Sequence, residues 1–492
     1  MNSESRSKLS WPWIASLSLV AVVGFGMRLF RLSYWGLAHD ELFTLRDSLR
    51  GGELALRPKA LLFILNHYLV APFFELDEFG LRILPMVFGV AGIIAVFFLV
   101  YRLFGPLSGF FAALLVTFNP WHLYWSQNAR YQSLVFLLSA VVPVALYIGV
   151  KEQRPRWMAL AGLSAVLAVL AHPSAAFVVA GCMVWLAGAV GLRILRGRST
   201  SRPLLAVTLA ILILFAVATA FQLGPTLLTR AKFDVAWGIR GPFLVASFGN
   251  WLTAGVTIFG AGGFLWMWRD EPRELSVLLA LAIGVPMLAL ALLGYVLPVS
   301  VGYLFCAAPF ILIAAGYFLA RLTSLGTDSI GRTLLGSTCA LAVVAGGLIP
   351  VASHYINGGR PDFKGVGRHI EARALPGDLV LGDRTLSLRY YLKAWPVTTP
   401  SAYPVQTFHR DPAELDSILG QVTQSGGRLW IVAYIAKRAG FEEQGLGAAS
   451  PWVWENCVLD TVIGRQRLDY KVDDLNVYLC DGGDHLAASA RE

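Results

Sequence analysis

The sequence predicts a polytopic α-helical membrane protein of about eleven transmembrane helices, followed by a small C-terminal α/β domain. Three observations carry this. The 492 residues are 56% hydrophobic and 14% charged, whereas soluble domains are about a quarter charged. Apolar runs of about 20 residues, long enough to cross a bilayer, recur and end in Arg or Lys. After residue 352 the pattern changes to short β-branched and aromatic runs between turn residues and helical stretches.

The first apolar run extends from Trp11 to about Phe30 behind a short basic start (Arg6, Lys8). No small-residue cleavage site precedes the next polar segment, so it reads as an uncleaved signal anchor with its N-terminus in the cytoplasm. Later spans are expected near 82–101, 107–121, 131–150, 157–172, 174–192, 204–223, 245–267, 275–294, 300–320 and 333–352. Alternate connections carry the basic residues: Arg102; Lys151, Arg154 and Arg156; Arg193, Arg196, Arg198 and Arg202; Arg269 and Arg273; Arg321 and Arg332. Those are the cytoplasmic connections by the positive-inside rule. An odd number of spans then sends residues 353–492 to the outside.

Residues 1–352 hold 25 Lys and Arg against 14 Asp and Glu, and residues 353–492 hold 15 against 17. The basic excess thus belongs to the membrane module and reports topology and lipid contact. A nucleic-acid partner is excluded, since it would need a basic patch on the soluble part. In that part, Asp362–Arg373 suits an amphipathic helix, Pro376-Gly-Asp378 a turn, and the runs after 378, from Arg428 and from Leu475 suit strands. Cys182, Cys306 and Cys339 fall within apolar spans as small core residues. Cys457 and Cys480, in the tail, suit either an exported disulfide or two structural thiols.

The first outer loop, 31–81, concentrates charge. Seven acids (Asp40, Glu41, Asp47, Glu53, Glu75, Asp77, Glu78) lie between positions 40 and 78. Arg28, Arg31, Arg46, Arg50, Arg57, Lys59 and Arg82 fall in or beside the loop, against the charge rule. Snorkelling and pairing with the acids account for them equally with service to an anionic ligand at the membrane face. Leu61–Phe74 is apolar but short, and suits a helix in the interface or a re-entrant segment.

At the second outer turn the chain reads Asn119-Pro-Trp-His-Leu-Tyr-Trp-Ser-Gln-Asn-Ala-Arg-Tyr131. An aromatic belt explains its rings, but Arg130 runs against the expected charge bias. His172-Pro173 marks the next outer turn, where a His is ordinarily a turn residue, and Tyr303 ordinarily an interface anchor. Together these place carboxylates, an Arg and a His on one side of one bundle. That is an inventory for transferring a group from a lipid phosphate. A carboxylate takes a proton from an acceptor hydroxyl, and an Arg neutralises the departing phosphate.

These residues resemble the GT-C class of integral-membrane glycosyltransferases, in particular the group of protein O-mannosyltransferases and the lipid A aminoarabinose transferase. His39-Asp40-Glu41 follows the first span, as that group's Asp-Glu motif does, and Arg82-Ile-Leu-Pro85 opens the second like its Arg-Leu-Pro. Ser126-Gln-Asn-Ala-Arg-Tyr131 is similar to its Arg-Tyr-containing loop, and His172 falls where relatives often have a His. Arg360-Pro-Asp-Phe and Pro376-Gly-Asp are similar to the external domain of bacterial members. Relatives' Pro-Pro-Leu appears here as Arg57-Pro-Lys-Ala-Leu61, a late Arg-Tyr as Gly302-Tyr303, and an acid of the second outer loop as Gln127 or Asn128.

The resemblance implies a GT-C-like transmembrane catalytic module over 1–352 and a periplasmic α/β domain over 353–492, in a bacterial inner membrane. The absence of any Asn-x-Ser/Thr acceptor agrees. It implies an inverting transfer from a polyprenyl-phosphate-sugar donor to a glycolipid, glycan or protein acceptor, with Asp40 as general base and Glu41 as supporting carboxylate. Arg57, Lys59, Arg82, Gln127, Arg130, Tyr131, His172 and Tyr303 are then expected around donor phosphate or sugar. No cofactor is required by this reading. A divalent ion at Asp40 and Glu41 stays open, though two adjacent carboxylates make a weak site. The opposing reading is a transporter or flippase for a lipid-linked substrate. Transporters show mid-span charges, broken helices and paired repeats, whereas here the charges cluster at helix ends and no repeat is visible.

Overall fold

A computed structural model describes residues 10–54, 58–197, 201–228, 241–323, 329–358, 360–382, 384–393, 405–408, 411–438, 441–444, 446–464 and 472–480. The chain divides into two compact units. One comprises Met1–Leu32 and Asp47–Val351, the other Ser33–Arg46 and Ala352–Glu492. The whole loop 31–81 was expected with the membrane module; its residues 33–46 instead pack with the tail, because Trp35, Leu37 and Glu41 bury against it.

The first unit opens with α1 (Trp11–Leu29). After α2 (His39–Arg50), whose chain passes from one unit to the other, come the short α3 (Leu61–Leu65) and a π turn, Asn66–Val70. Asn66 there is buried and donates to Ser48 Oγ at 3.2 Å. At ten residues the apolar piece Leu61–Val70 is about 15 Å long, too short to cross a bilayer.

The following helices are α4 (Gly80–Phe104), α5 (Pro106–Phe118), α6 (Pro120–Ser126), α7 (Gln132–Glu152), α8 (Pro155–Ala171), α9 (Ala175–Leu195), α10 (Arg202–Leu228), α11 (Gly241–Leu252), α12 (Ala254–Asp270) and α13 (Arg273–Leu293). A 3-10 turn, Val301–Ala307, leads into α14 (Ala308–Leu322), and α15 (Ser329–Asn357) closes the series.

Among the described residues, eight helices are long and apolar enough to cross a membrane, or nine if α11 and α12 count as one bent span. The other two expected spans are α5 and α8, at 13 and 17 residues. Each starts on a proline and stops where Pro120 or Pro173 disfavours helix in the residue before it. The span expected at 245–267 is bent by 104°. Thr253, with φ of +76°, breaks it, a conformation that β-branched residues rarely adopt.

The core of the first unit gathers Phe97, Val100, Phe136, Leu146 and Ile313, all essentially solvent-free. One end of α7 carries Glu152, which pairs with Arg102, and Arg321 meets Asp270 at 3.4 Å. The other end of α7 begins at Tyr131.

In the second unit, α16 (Phe363–Glu371), β1 (Leu379–Gly382), α17 (Thr385–Tyr391), β2 (Val405–Thr407), α18 (Pro412–Gln424), β3 (Leu429–Arg438), β4 (Phe441–Gln444), α19 (Ser450–Asn456), β5 (Cys457–Ile463) and β6 (Val472–Cys480) follow one another. The sheet order is β2-β1-β3-β6-β5, with β4 pairing β3. β1 runs parallel to β2 and β3, while β6 is antiparallel to β3 and β5. Alternate strand residues feed two cores, as a pleated sheet requires. Leu381 and Ile431 join Leu415 on one face, and Val380 and Val432 join Phe363 and Ile370 on the other. Cys457 and Cys480, opposite each other in register, form the disulfide that the sequence left open.

The Pro376-Gly-Asp378 turn is structural. The buried Asp378 carboxylate accepts from Leu375 N–H, Arg428 N–H, Arg428 Nη2 and Trp430 Nε1 at 2.8–3.0 Å. Burial pushes its carboxyl up, but these bonds outweigh that and hold it below the ordinary carboxylate value.

Candidate active site

In the first unit, the chemistry-bearing turn is fixed at both ends. Asn119 caps α6 by accepting from His122 N–H at 2.9 Å, and donates to Leu252 O at 3.2 Å. Inside, Arg28 is wholly buried. It donates to Gly24 O at 2.9 Å, to Val116 O at 3.3 Å and to His122 Nδ1 at 2.8 Å. Arg28 thus spends its charge on the carbonyl end of α5, a favourable place for a cation, and not by snorkelling. Gln127 Nε2 donates to the carbonyls of Met27, Arg28 and Phe30 at 2.8–3.3 Å. Arg82, also buried, donates to Leu32 O at 2.8 Å. Both hold the end of α1, where the sequence suggested donor contacts. Arg57 lies outside the described residues.

Beyond this anchor, four expected residues come together. His172 ends α8 and stacks on Tyr131 with ring centroids 4.2 Å apart and planes 16° from parallel. Tyr303 stands on the imidazole's neighbourhood too, 5.0 Å away at 39°. The Arg130 guanidinium lies 4.9 Å over the Tyr131 ring, a cation–π geometry. Lys59 is held nearby by its backbone: its N–H donates to Gln222 Oε1 at 3.1 Å, and Gln222 Nε2 donates to Leu170 O at 3.2 Å. The charges of Lys59 and Arg130 both reach the His172 ring.

The tautomer of His172 follows from geometry. Ser174 N–H donates to Nδ1 at 3.2 Å, so Nδ1 carries a lone pair and the ring proton sits on Nε2. That Nε2 is buried and finds no hydrogen-bond partner among the described residues. Trp125 Nε1, Asn128 Oδ1, Gln132 Oε1 and Ser133 Oγ, around the same turn, are likewise buried without one. Each such group costs about 1–3 kcal/mol when left unpaired. Sequence reasoning passed over Gln132 and Ser133, because polar residues at a helix start are ordinary.

In the second unit, α2 begins at the expected motif. Asp40 is exposed, whereas Glu41 is fully buried. Glu41 Oε2 accepts from Ala38 N–H at 2.8 Å and from Arg360 Nη1 at 2.6 Å. Two neighbouring carboxylates therefore differ in setting, one at the surface and one buried in an ion pair. Removing one partner of such a buried pair costs about 3–5 kcal/mol. His39 packs edge-to-face on Phe43 at 4.8 Å, and its buried Nδ1 lacks a partner among the described residues. Burial, then the charge of Arg384, lower its pKa, while Asp40 pulls the other way. Among the described residues, no group of three His, Cys, Asp or Glu side chains is placed to hold a metal ion.

The first unit thus offers cations, aromatic faces and an unspent N–H donor, which suits an anion or a sugar. The second offers an exposed carboxylate at the start of a helix, which suits taking up a proton.

Residues 60–220 match the family model of dolichyl-phosphate-mannose-protein mannosyltransferases. No curated protein matches the chain in sequence. Its fold is similar to that of ArnT from Cupriavidus metallidurans bound to undecaprenyl phosphate, with a TM-score of 0.57 at 14% identity over 96% of this chain and 98% of that one. An Archaeoglobus fulgidus oligosaccharyltransferase in the apo form gives 0.54 at 12% identity, over 90% and 75%.

Proposed function

We propose that this chain, a membrane glycosyltransferase of GT-C fold, moves a sugar from a polyprenyl-phosphate-sugar donor to an acceptor hydroxyl. In this reading Asp40 takes the hydroxyl proton while the oxygen attacks the anomeric carbon from the face opposite the phosphate. The bond to the phosphate oxygen breaks, its electron pair leaves with the polyprenyl phosphate, and a single displacement inverts the carbon. Arg130, Lys59 and the Nε2–H of His172 meet the negative charge of the leaving phosphate. Tyr131 and Tyr303 supply flat faces for the sugar ring.

The observation that carries the reading is the stack of Tyr131, His172 and Tyr303 with its unspent Nε2–H and two flanking cations. The undecaprenyl phosphate bound to ArnT supports a lipid-phosphate donor. The proposed setting is a bacterial inner membrane with the reacting end of the bundle and the tail in the periplasm. The alternating basic connections and the Cys457–Cys480 disulfide support that sidedness, since disulfides persist in oxidising compartments. The bent pair α11/α12 is a feature shared with transporters. However, the small cleft at its break is lined by Leu115, Phe118, Asn119, Pro120, Thr253, Val256, Val343, Val344 and Gly347, none of them ionisable.

The test uses the purified full chain in lipid with a panel of polyprenyl-phosphate sugars, with and without a divalent-metal chelator. One donor is expected to raise thermal stability in both wild type and Asp40→Asn. Transfer is expected to fall by about 10²–10⁴ in the variant and to survive chelation. Undiminished transfer by Asp40→Asn would remove it as the base, and loss on chelation would bring in a metal. No stabilisation of a folded protein by any donor would favour transport.

A further inference from the structure

We infer that the C-terminal region positions the proposed base, with Arg360 and Tyr391 as positioning residues that fix the Leu37–Glu41 segment. The inference rests on the reading of Asp40 as base. Four contacts within the second unit carry it. Arg360 Nη1 donates to Glu41 Oε2 at 2.6 Å, with both side chains at most 3% exposed. Arg360 is itself aimed by its Nε–H, which donates to Gly358 O at 3.2 Å. Leu37 N–H donates to the Tyr391 hydroxyl. Trp35 lies against Gly358, whose φ is +71° and whose added Cβ would stand 2.5 Å from the indole.

The segment is therefore held at Trp35, Leu37 and Glu41, on the two sides of Asp40. An added Cβ at Gly36 would meet Tyr391 Oη at 2.9 Å, so the approach is close as well as bonded. Glu41 also accepts from Ala38 N–H, joining the ion pair to the first turn of α2, half of a capping box. A group on a first helical turn moves with that turn. Fixing the turn fixes where the Asp40 carboxylate stands, and reacting groups tolerate only about 0.5 Å of error. By this reading residues 352–492 are part of the machinery, and Glu41 serves Asp40 through Arg360 instead of touching substrate.

The test measures kcat, donor KM and donor-induced thermal stabilisation on the full chain in lipid. Arg360→Met is expected to lower kcat by about 10²-fold with donor KM near wild type, and Arg360→Lys to recover part of the loss. Because removing one partner of a buried ion pair destabilises the unit, the double variant Glu41→Met/Arg360→Met removes both charges. Tyr391→Phe, which deletes the acceptor for Leu37 N–H, is expected to lose kcat several-fold. A folded double variant or Tyr391→Phe with wild-type kcat would overturn the inference. Asp40→Asn in the same assay separates the two ideas. If it is inactive while those variants are fully active, only positioning fails; if it is active, the base assignment fails first.

Discussion

Two turns at one end of the helical bundle each hold a buried histidine, and they differ in what completes it. His122 accepts the Arg28 guanidinium on Nδ1. Its ring stands edge-to-face with Phe136 at 4.4 Å, and its Nε2 is buried without a hydrogen-bond partner among the described residues. His172 also has Nδ1 occupied, by Ser174, but its broad faces meet Tyr131 and Tyr303. Its Nε2–H lies in the edge of that stack, with Arg130 and Lys59 as neighbouring charges. Both rings leave Nε2 without a hydrogen-bond partner among the described residues, so what separates them is their surroundings. His122 is packed against buried Arg28 and the Phe136 ring, whereas His172 lies between two tyrosines with the charges of Lys59 and Arg130 beside it. Phosphate and sugar suit the second setting.

The comparison breaks most visibly at Arg28. Arg28→Leu strips donors from the carbonyls of Gly24 and Val116 and from His122, all buried. The expected loss is about 3 kcal/mol or more, read as a lower thermal midpoint in lipid without donor. Should Arg28→Leu keep its midpoint and lose donor binding instead, the two turns would have exchanged roles.

Next in size is His172→Phe. The ring keeps its stack and the unspent N–H disappears, but buried Ser174 loses the Nδ1 acceptor, so the two effects offset and the midpoint is expected to change little. Donor affinity is expected to fall about tenfold, the worth of roughly 1.4 kcal/mol. His122→Phe is its control, expected to lower the midpoint because Arg28 loses an acceptor. Equal loss of stability in both variants would mean that His172 is architecture too.

Much of this was legible in the sequence, but only as separate marks. Hydropathy located the apolar helices, since every run leaves its own trace. It carried the 107–121 span past Phe118, where α5 stops ahead of Pro120, and missed the bend at Thr253, because a positive φ leaves no compositional sign. Arg130, Tyr131, His172 and Tyr303 each drew notice as weak oddities. That they stack is a fact of helix packing across 172 positions, which no local pattern encodes. Arg28 read as a snorkelling or acid-paired cation or as one serving an anionic ligand, since a buried Arg and an interfacial one look alike at a span's end. Only the family resemblance told Asp40 from Glu41 in the sequence; the contact that separates them physically is Arg360, 319 positions away, which pairs with Glu41.

The smallest expected effect separates charge from shape within the stack. Arg130 is half-buried and lies over Tyr131, so it acts either on the donor's phosphate or by holding that ring. Charge acting through partly solvated space is screened over about 8 Å at physiological salt, and exposed ion pairs are worth about 0–1 kcal/mol. If Arg130 meets the phosphate, Arg130→Gln loses donor affinity about three- to fivefold at low salt, and the loss shrinks toward nothing at high salt. The His172→Phe loss, coming from a neutral N–H, is expected to change little with salt. A loss in Arg130→Gln that ignores salt would assign Arg130 to the tyrosine instead. The phosphate's charge would then fall to Lys59, and a titration of Lys59→Gln against salt decides it, because that side chain carries the other charge that reaches His172.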